Sequence, residues 1–475
     1  MTDEHGGGRP RILGQDGGHP GILGQDELVL VSLAGEIHVK SARTRGRFQR
    51  VFCDNLERAL DRLAPGSRVE AVGGGRLLVT PTDVLGAVEA ARTTFGCQRV
   101  ERARALDWNS RGSLEELAEK VAAAAREAVS GHTFAVRVRR RGNHTWGSPD
   151  AQRLIGDLLR PCSGGVDLDT PDVEVRVLVL SDRAWIVEED WPGPGGMPLG
   201  TQDRCLTLLS GGFDSPVAAW MVMRRGSRVD FLHVRLDCAQ TEQALAVAYE
   251  LWRRWGAGSS PLVWVVDFAQ ARQALLDLVA PRLRQVILKQ LMFSVADLVA
   301  RDLGIPALVT GESIGQVSSQ TLHHLVEIDA VCTRTVLRPL AGFDKDEIIA
   351  RSRAIGTHGL SLRAQEVCDL AGGPVAVAAR RPTLTRARAS LPEGLVAAAA
   401  AGRRVIALEH WVPGMEAVPV VDAPPDGVPV VRASETPPAS GPVAVTGRGA
   451  VRVASRLSAA GRKAWACRAA DPRPS

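Results

Sequence analysis

The sequence predicts an α/β protein in which a doubly wound parallel sheet, over residues 193–395, follows smaller α+β modules. Three observations predict it. From about residue 203, apolar strands and helices alternate in regular order, the pattern of a parallel sheet covered on both faces. Upstream, short strands and amphipathic helices occur without that alternation. Between the two stands WPGPGGMPLGT, residues 191–201, whose composition reads as a linker.

Composition sets the bounds. A chain of 475 residues is too long for one ordinary core, so several domains are expected. Hydrophobic residues at 45% and charged residues at 23% fit a globular protein. No apolar run approaches the roughly 18 residues of a membrane helix, and the Gly-rich start lacks the regions of a signal peptide. The expectation is a cytoplasmic chain with no membrane partner. Eight cysteines, at 53, 97, 162, 205, 238, 332, 368 and 467, include no CxxC pair, which argues against a disulfide framework and a zinc ribbon. A net charge of +5 favours nucleic acid only where the charge is clustered.

The elements follow in order. Residues 1–27 carry a tandem echo, RILGQD then GILGQD, too short to stack into a core and read as a flexible extension. Residues 28–85 open with a strand, ELVLVSLAGEIHVKS. Phe48, Val51, Phe52, Leu56, Leu60 and Leu63 then recur at helical spacing before a Pro-Gly stop. Residues 86–192 repeat the theme, with TFAVRVRRRG and VEVRVLVLSDRAWIVEE as strands and SLEELAEKVAAAAREAVS as a helix. Residues 193–395 hold the strands CLTLLS, VDFLHVRL, PLVWVVDF, ALVTGES and TVLRPL. Helices between them end at Gly226 and Gly256 after paired arginines, and DKDEIIARSRAIG opens on an Asp344/Glu347 capping box. Residues 396–475 are Ala-, Pro- and Val-rich with weak periodicity, and their structure is left uncertain.

Two loops carry chemistry. In LLSGGFDSPVAAW, residues 208–220, a strand ends at Leu209 and a helix is expected to begin at Ser215-Pro216. Ser215 suits the N-cap, Pro216 the first helical position, and the backbone N–H groups between would form an anion nest. The GxxxxGK[ST] phosphate loop is absent. Ser-Gly-Gly-x-Asp-Ser after a buried strand resembles the pyrophosphate loop of the ATP-pyrophosphatase (PP-loop) superfamily, which splits ATP between its α and β phosphates. The plain alternative is a strand-to-helix turn with no ligand. ALVTGESIGQVSSQT, residues 307–321, follows the fourth strand and should lie beside the first loop at the carboxyl edge of the sheet. There Gly311 would let a nucleotide approach, and Gln316, Ser318, Ser319 and Gln320 offer neutral donors.

These loops, with LRPLAGFDKDEIIARSRAIGT, GPGGMPLGTQ, TFAVRVRRRGNHTW and GEIHVKSARTRGRF, resemble the tRNA 4-thiouridine synthetase family (tRNA sulfurtransferase, ThiI-type). The similarity runs from about residue 28 to 370. It implies a ferredoxin-like domain over 28–85, a THUMP domain over 86–192 that binds the acceptor end of tRNA, and a Rossmann-like PP-loop catalytic domain over 193–395. The implied cofactors are ATP and Mg2+. Leu208 and Leu209 would hold the adenine side through backbone atoms, and Ser210, Gly211, Gly212, Asp214 and Ser215 would form the phosphate loop. Lys289, Gly311 and Gln320 would complete the ATP site. Asp214 would be essential through magnesium or phosphate positioning, and no metal-ligand set is otherwise assigned.

The basic cluster supports an RNA partner independently. Arg137, Arg139, Arg140 and Arg141, with His144 and Trp146 beyond, combine charge and stacking on one strand and its turn, as a phosphate backbone with an exposed base requires. A solvated edge strand is the bland alternative.

The family's reaction, as implied here, adenylates O4 of uridine 8 of tRNA and replaces that oxygen with sulfur from a cysteine persulfide. Cys368, in RAQEVCDL, matches the family's catalytic-domain cysteine, although Asp369 stands where the family has glycine. Cys332 and Cys238 are rivals. A C-terminal rhodanese domain is not expected in residues 396–475, which weighs against a part in forming the thiamine thiazole. A cysteine desulfurase would then supply the sulfur, and a homodimer is left open. Two other readings compete: a different PP-loop RNA thiolase, and an RNA-binding protein with a decayed catalytic site.

Overall fold

The computed structural model describes residues 11–12, 27–109, 111–180, 183–236, 238–363, 370, 376–447 and 449–467. The chain divides into two units, Met1–Pro198 and Leu199–Ser475.

In the first unit the strands are β1 (Arg11–Ile12), β2 (Glu27–Leu33), β3 (Arg68–Gly73), β4 (Arg76–Thr80) and β5 (Cys97–Asn109). They are followed by β6 (Thr133–Arg141), β7 (Gly165–Val166), β8 (Val173–Leu180) and β9 (Arg183–Pro192). They form one nine-stranded sheet in the order β3-β4-β2-β5-β9-β8-β6-β7, with β1 beside β8. The long strand β5 pairs with β2 on one side and β9 on the other. A single sheet therefore runs through residues 28–85 and 86–192. The expected helix forms over Ala42–Leu63, capped by Ser41, and buries Phe48, Phe52, Leu56 and Leu60. Helices Leu114–Val129 and Ser148–Leu159 bury Leu117, Val121, Ile155 and Leu159 against Val136, Val138, Val175 and Val177 of β6 and β8. The opposite face holds a smaller cluster, Leu28, Leu30, Ala103, Leu178, Trp185 and Val187, built from strand residues alone.

The second unit contains β10 (Gln202–Leu209), β11 (Ser227–Arg235), β12 (Leu262–Asp267), β13 (Ala307–Val309) and β14 (Thr335–Leu337). The chain then adds β15 (Arg404–Ala407), β16 (Val418–Val421), β17 (Val430–Arg432), β18 (Val443–Thr446) and β19 (Ala464–Cys467). The sheet order is β14-β13-β10-β11-β12-β15-β16-β19-β18-β17, and its first five strands are parallel. Side chains alternate across it. Leu206, Leu232, Val234, Trp264, Val266 and Leu308 pack with Val286, Ile287 and Leu291 of the long helix Pro281–Asp302.

The chain winds from β10 through β11 to β12, then returns to the other side of β10 to form β13 and β14. That reversal makes the carboxyl ends of β10 and β13 the topological switch point, where ligands of open α/β sheets bind. Strand β15 runs antiparallel to β12, and β16 to β15, so residues left without assigned structure in the sequence extend the same sheet. Arg403, 5% exposed, fixes the junction by pairing with Asp302 at 3.1 Å.

Candidate functional site

The loop after β10 closes on itself. The Ser215 hydroxyl accepts from Ser210 N at 3.0 Å and donates to Ser210 O at 3.2 Å. The helix begins two residues earlier than expected, spanning Asp214–Met223 with Phe213 as N-cap. Ser215 is therefore not the cap: its hydroxyl folds back to tie the two ends of the loop, and Pro216 lies inside the first turn. Asp214 stands at the first helical position, where the macrodipole favours a carboxylate.

Three remote segments meet this loop. Lys345 Nζ donates to Asp214 Oδ1 at 2.8 Å, and Gln316 Nε2 donates to Asp214 Oδ2 at 3.0 Å. Ser361 Oγ donates to Gly212 O at 3.1 Å. Lys345 also lies 5.6 Å from the centroid of the Phe213 ring, which packs on His358. The expected capping box positions Lys345: Asp344 Oδ1 accepts from Glu347 N, and Glu347 Oε2 accepts from Asp344 N.

The loop after β13 packs directly against the first. A Cβ at Gly311 would lie 2.6 Å from Asp214 C and 2.7 Å from Ser215 N. The missing side chain thus makes room for the neighbouring loop, which differs from the expected room for a nucleotide. Gln320 is buried; its backbone O accepts from Gly315 N at 2.9 Å, which shapes the turn. Lys289 Nζ lies 3.5 Å from Glu312 Oε1. Glu312, 2% exposed, also accepts from Arg338 Nε at 3.0 Å and Thr310 Oγ1 at 3.1 Å, and Arg338 grips Asp329 with both terminal nitrogens. Lys289 is thus held by a buried network rather than reaching freely to solvent.

His233 on β11 supports the adenine-side backbone expected at Leu208 and Leu209. Its Nδ1 lies 3.2 Å from Leu209 O and its Nε2 3.2 Å from Thr241 Oγ1. A carbonyl only accepts, so Nδ1 carries the proton and the threonine hydroxyl donates to Nε2. Burial pushes this histidine down to about 4, so the ring is neutral.

Of the cysteines, Cys368 lies outside the described residues, as does the side chain of Cys238. Cys332 donates to Asp297 Oδ1 at 3.4 Å, and burial, reinforced by that carboxylate, pushes its thiol up to about 11. It is a poor source of thiolate. Among the described residues, no group of three or more His, Cys, Asp or Glu is placed to hold a metal.

The arginine-rich strand β6 presents two faces. Arg137 and Arg139 line a cleft of about 430 Å³ with Arg76, Arg99 and Arg176, together with Glu101 and Glu174. Arg176 is paired with Glu101 at 3.1 Å and Arg137 with Glu174 at 3.1 Å. Burial, with the nearby Arg139 charge, lowers the Arg76 guanidinium below its ordinary value, opposed by Glu101. Arg141 turns to Val72 O at 3.1 Å. Arg140 belongs to the other face, 5.8 Å over the Trp146 ring, whose other neighbours are His144 and Trp108 at 4.9 and 6.4 Å between centroids.

Comparison with known proteins places this geometry. Residues 200–390 match the family model described as thiamine biosynthesis protein (ThiI), and residues 111–187 match the THUMP domain. A tRNA sulfurtransferase of Desulfurococcus amylolyticus is 43% identical over 345 residues, covering 72% of this chain and 70% of that protein. The chain belongs to the tRNA sulfurtransferase family. A probable tRNA sulfurtransferase of Aeropyrum pernix is 42% identical, covering 70% of this chain and 85% of its own. A crystal structure of a 4-thiouridine synthetase–RNA complex with bound ATP is similar at a TM-score of 0.69 and 26% identity, covering 80% of this chain and 99% of that one. As a tRNA sulfurtransferase family member, the chain is a sulfur-transferring enzyme.

Sequence reasoning missed Lys345, Glu312, Arg338 and His233 in the catalytic unit and Arg76, Arg99 and Arg176 in the first. Lys345 had a local signal, since it follows the capping aspartate in LRPLAGFDKDEI. Glu312 and Arg338 lay inside the GESIGQ and LRPLAGF segments, and the others carried no signal beyond their residue type.

Proposed function

We propose that this enzyme uses ATP to adenylate O4 of uridine 8 in tRNA and replaces that oxygen with sulfur, giving 4-thiouridine. One observation carries the reading. The chain reversal beside β10 brings the SGGFDS and GESIGQ loops together, with Asp214 gripped from two sides by Lys345 and Gln316. Such a site neutralises and orients phosphates, which is most of what phosphoryl-type transfer needs.

The uracil C4 oxygen is a poor leaving group. O4 attacks the α-phosphorus of ATP, pyrophosphate leaves, and N3 gives up its proton to form the O4-adenylate. The backbone at Leu208 and Leu209 holds the nucleoside, the 210–215 loop and Lys289 hold the phosphates, and Mg2+ accompanies the triphosphate. Cys368 carries the sulfur as a persulfide. Its terminal sulfur bonds to C4, the C4–O bond to AMP breaks, and a thiol reductant then cleaves the S–S bond. A cysteine desulfurase recharges Cys368; the raised value of the Cys332 thiol disfavours that residue as the carrier.

The first unit supplies tRNA contacts, through the arginine cleft on one face of β6 and the Arg140/Trp146 stack on the other. The test is a reaction of purified protein with ATP, magnesium, a cysteine desulfurase and unmodified tRNA, followed by nucleoside mapping. Thiolation at uridine 8 is expected. Sulfur at a 2-thio position would favour a different RNA thiolase, and tight tRNA binding without pyrophosphate release would favour a decayed site.

A further inference from the structure

Two histidines join the second nucleotide loop to the chain that follows Cys368. Thr321 Oγ1 donates to Val377 O at 2.9 Å, and His323 Nε2 lies 2.8 Å from Ala379 O. Ala379 N donates to His324 Nε2 at 3.0 Å, while His324 Nδ1 lies 2.8 Å from Ser318 O. A backbone amide can only donate and a carbonyl can only accept. His324 is therefore fixed as the neutral ring with its proton on Nδ1, bridging Ser318 of the nucleotide loop to residue 379. His324 is fully buried. The chain before Cys368 is tied to the first loop, through Ser361 and Gly212. Both flanks of the cysteine-bearing stretch are thus fastened to the two nucleotide loops.

We propose that His324 is a positioning residue for the sulfur-transfer half of the reaction: its neutral ring holds Ala379, which follows Cys368 in the sequence, against Ser318 of the nucleotide loop. This rests on the reading of Cys368 as the sulfur carrier. Protonation at Nε2 would set one N–H against another and release Ala379, so the tie exists only while the ring is neutral.

The surroundings agree with that state. Burial lowers His324 below its ordinary value, opposed by the Ser318 bond; the neighbouring His323 lowers it further, while Glu327 on the same helix raises it. Glu327 is itself held at 3.0 Å by Arg381 of the following helix, and its carbonyl accepts from the neutral Gln290 of helix Pro281–Asp302. Ser318 brings no charge.

The test compares wild type, His324→Gln, His324→Leu and Cys368→Ser, following pyrophosphate release and 4-thiouridine formation together from about pH 5 to about pH 8. Glutamine keeps an acceptor near the Nε2 position and does not titrate in this range. In wild type, thiolation is expected to fall on the acid side more steeply than pyrophosphate release. His324→Gln should stay within about twofold at neutral pH and lose that extra acid limb. His324→Leu should lower thiolation by about tenfold or more while pyrophosphate release persists. The proposal is overturned if the leucine variant thiolates at the wild-type rate, if both reactions fall together in it, or if the acid limb persists in the glutamine variant. Full thiolation by Cys368→Ser would sink the sulfur assignment and the positioning role with it. An inactive Cys368→Ser beside an unaffected leucine variant would sink the positioning role alone.

Discussion

Lys345 Nζ lies 2.8 Å from Asp214 Oδ1 although 131 residues separate them, so the later part of the second unit reaches back to hold the acid of the SGGFDS loop. The pair is partly exposed and adds no more than about 1 kcal/mol to stability. Lys345→Ala is expected to leave the melting temperature within a few degrees of wild type and to lower pyrophosphate release by about a hundredfold. Rate and melting curve measured on the same preparation check this.

Gly311→Ala should behave differently. The added methyl meets backbone of Asp214 and Ser215 inside 3 Å, where no flexible side chain can yield. A displacement of the phosphate loop is expected, costing about 1–3 kcal/mol of stability and at least about tenfold in pyrophosphate release. Urea unfolding and steady-state kinetics would register both.

His233 predicts an acid sensitivity. Its folded value, about 4, lies below the ordinary 6.5, so the unfolded chain takes up the proton first. The stabilisation is complete above about pH 6.5 and is lost as pH falls toward about 4, a change on the order of 3 kcal/mol. His233→Asn keeps a donor for Leu209 O without the titration. Its urea midpoint should vary less between those two pH values than that of wild type.

Much of this architecture is legible in the sequence. The alternation of CLTLLS, VDFLHVRL and PLVWVVDF with helices marks a parallel sheet, and Asp344 and Glu347 mark a helix start. What was hidden is long-range. Nothing local says that Gly311 faces Asp214, or that Glu312 braces Lys289. The strands from residue 404 escaped because they are only three or four residues long and are carried by pairing with β12 and one another. The arginine run and its strand are visible in the sequence, but the partners of its cleft, Arg76, Arg99 and Arg176, come from β4, β5 and β8, which only the sheet order brings beside β6.

Arg76 therefore carries a prediction that the run alone would not suggest. Arg76→Ala should weaken tRNA binding and reduce the salt dependence of affinity by about one counterion, because one phosphate contact is lost. Pyrophosphate release at saturating tRNA should be unchanged. Binding isotherms at several salt concentrations give the slope.

The most direct measurement is the stoichiometry of pyrophosphate released to 4-thiouridine formed at position 8, in a single turnover with persulfide-loaded enzyme, ATP and unmodified tRNA. A ratio near one, abolished on both sides by Asp214→Ala, is the expected result. Thiolation that continues in Asp214→Ala, or that proceeds without pyrophosphate, would contradict the assignment of this loop as the site that activates the base.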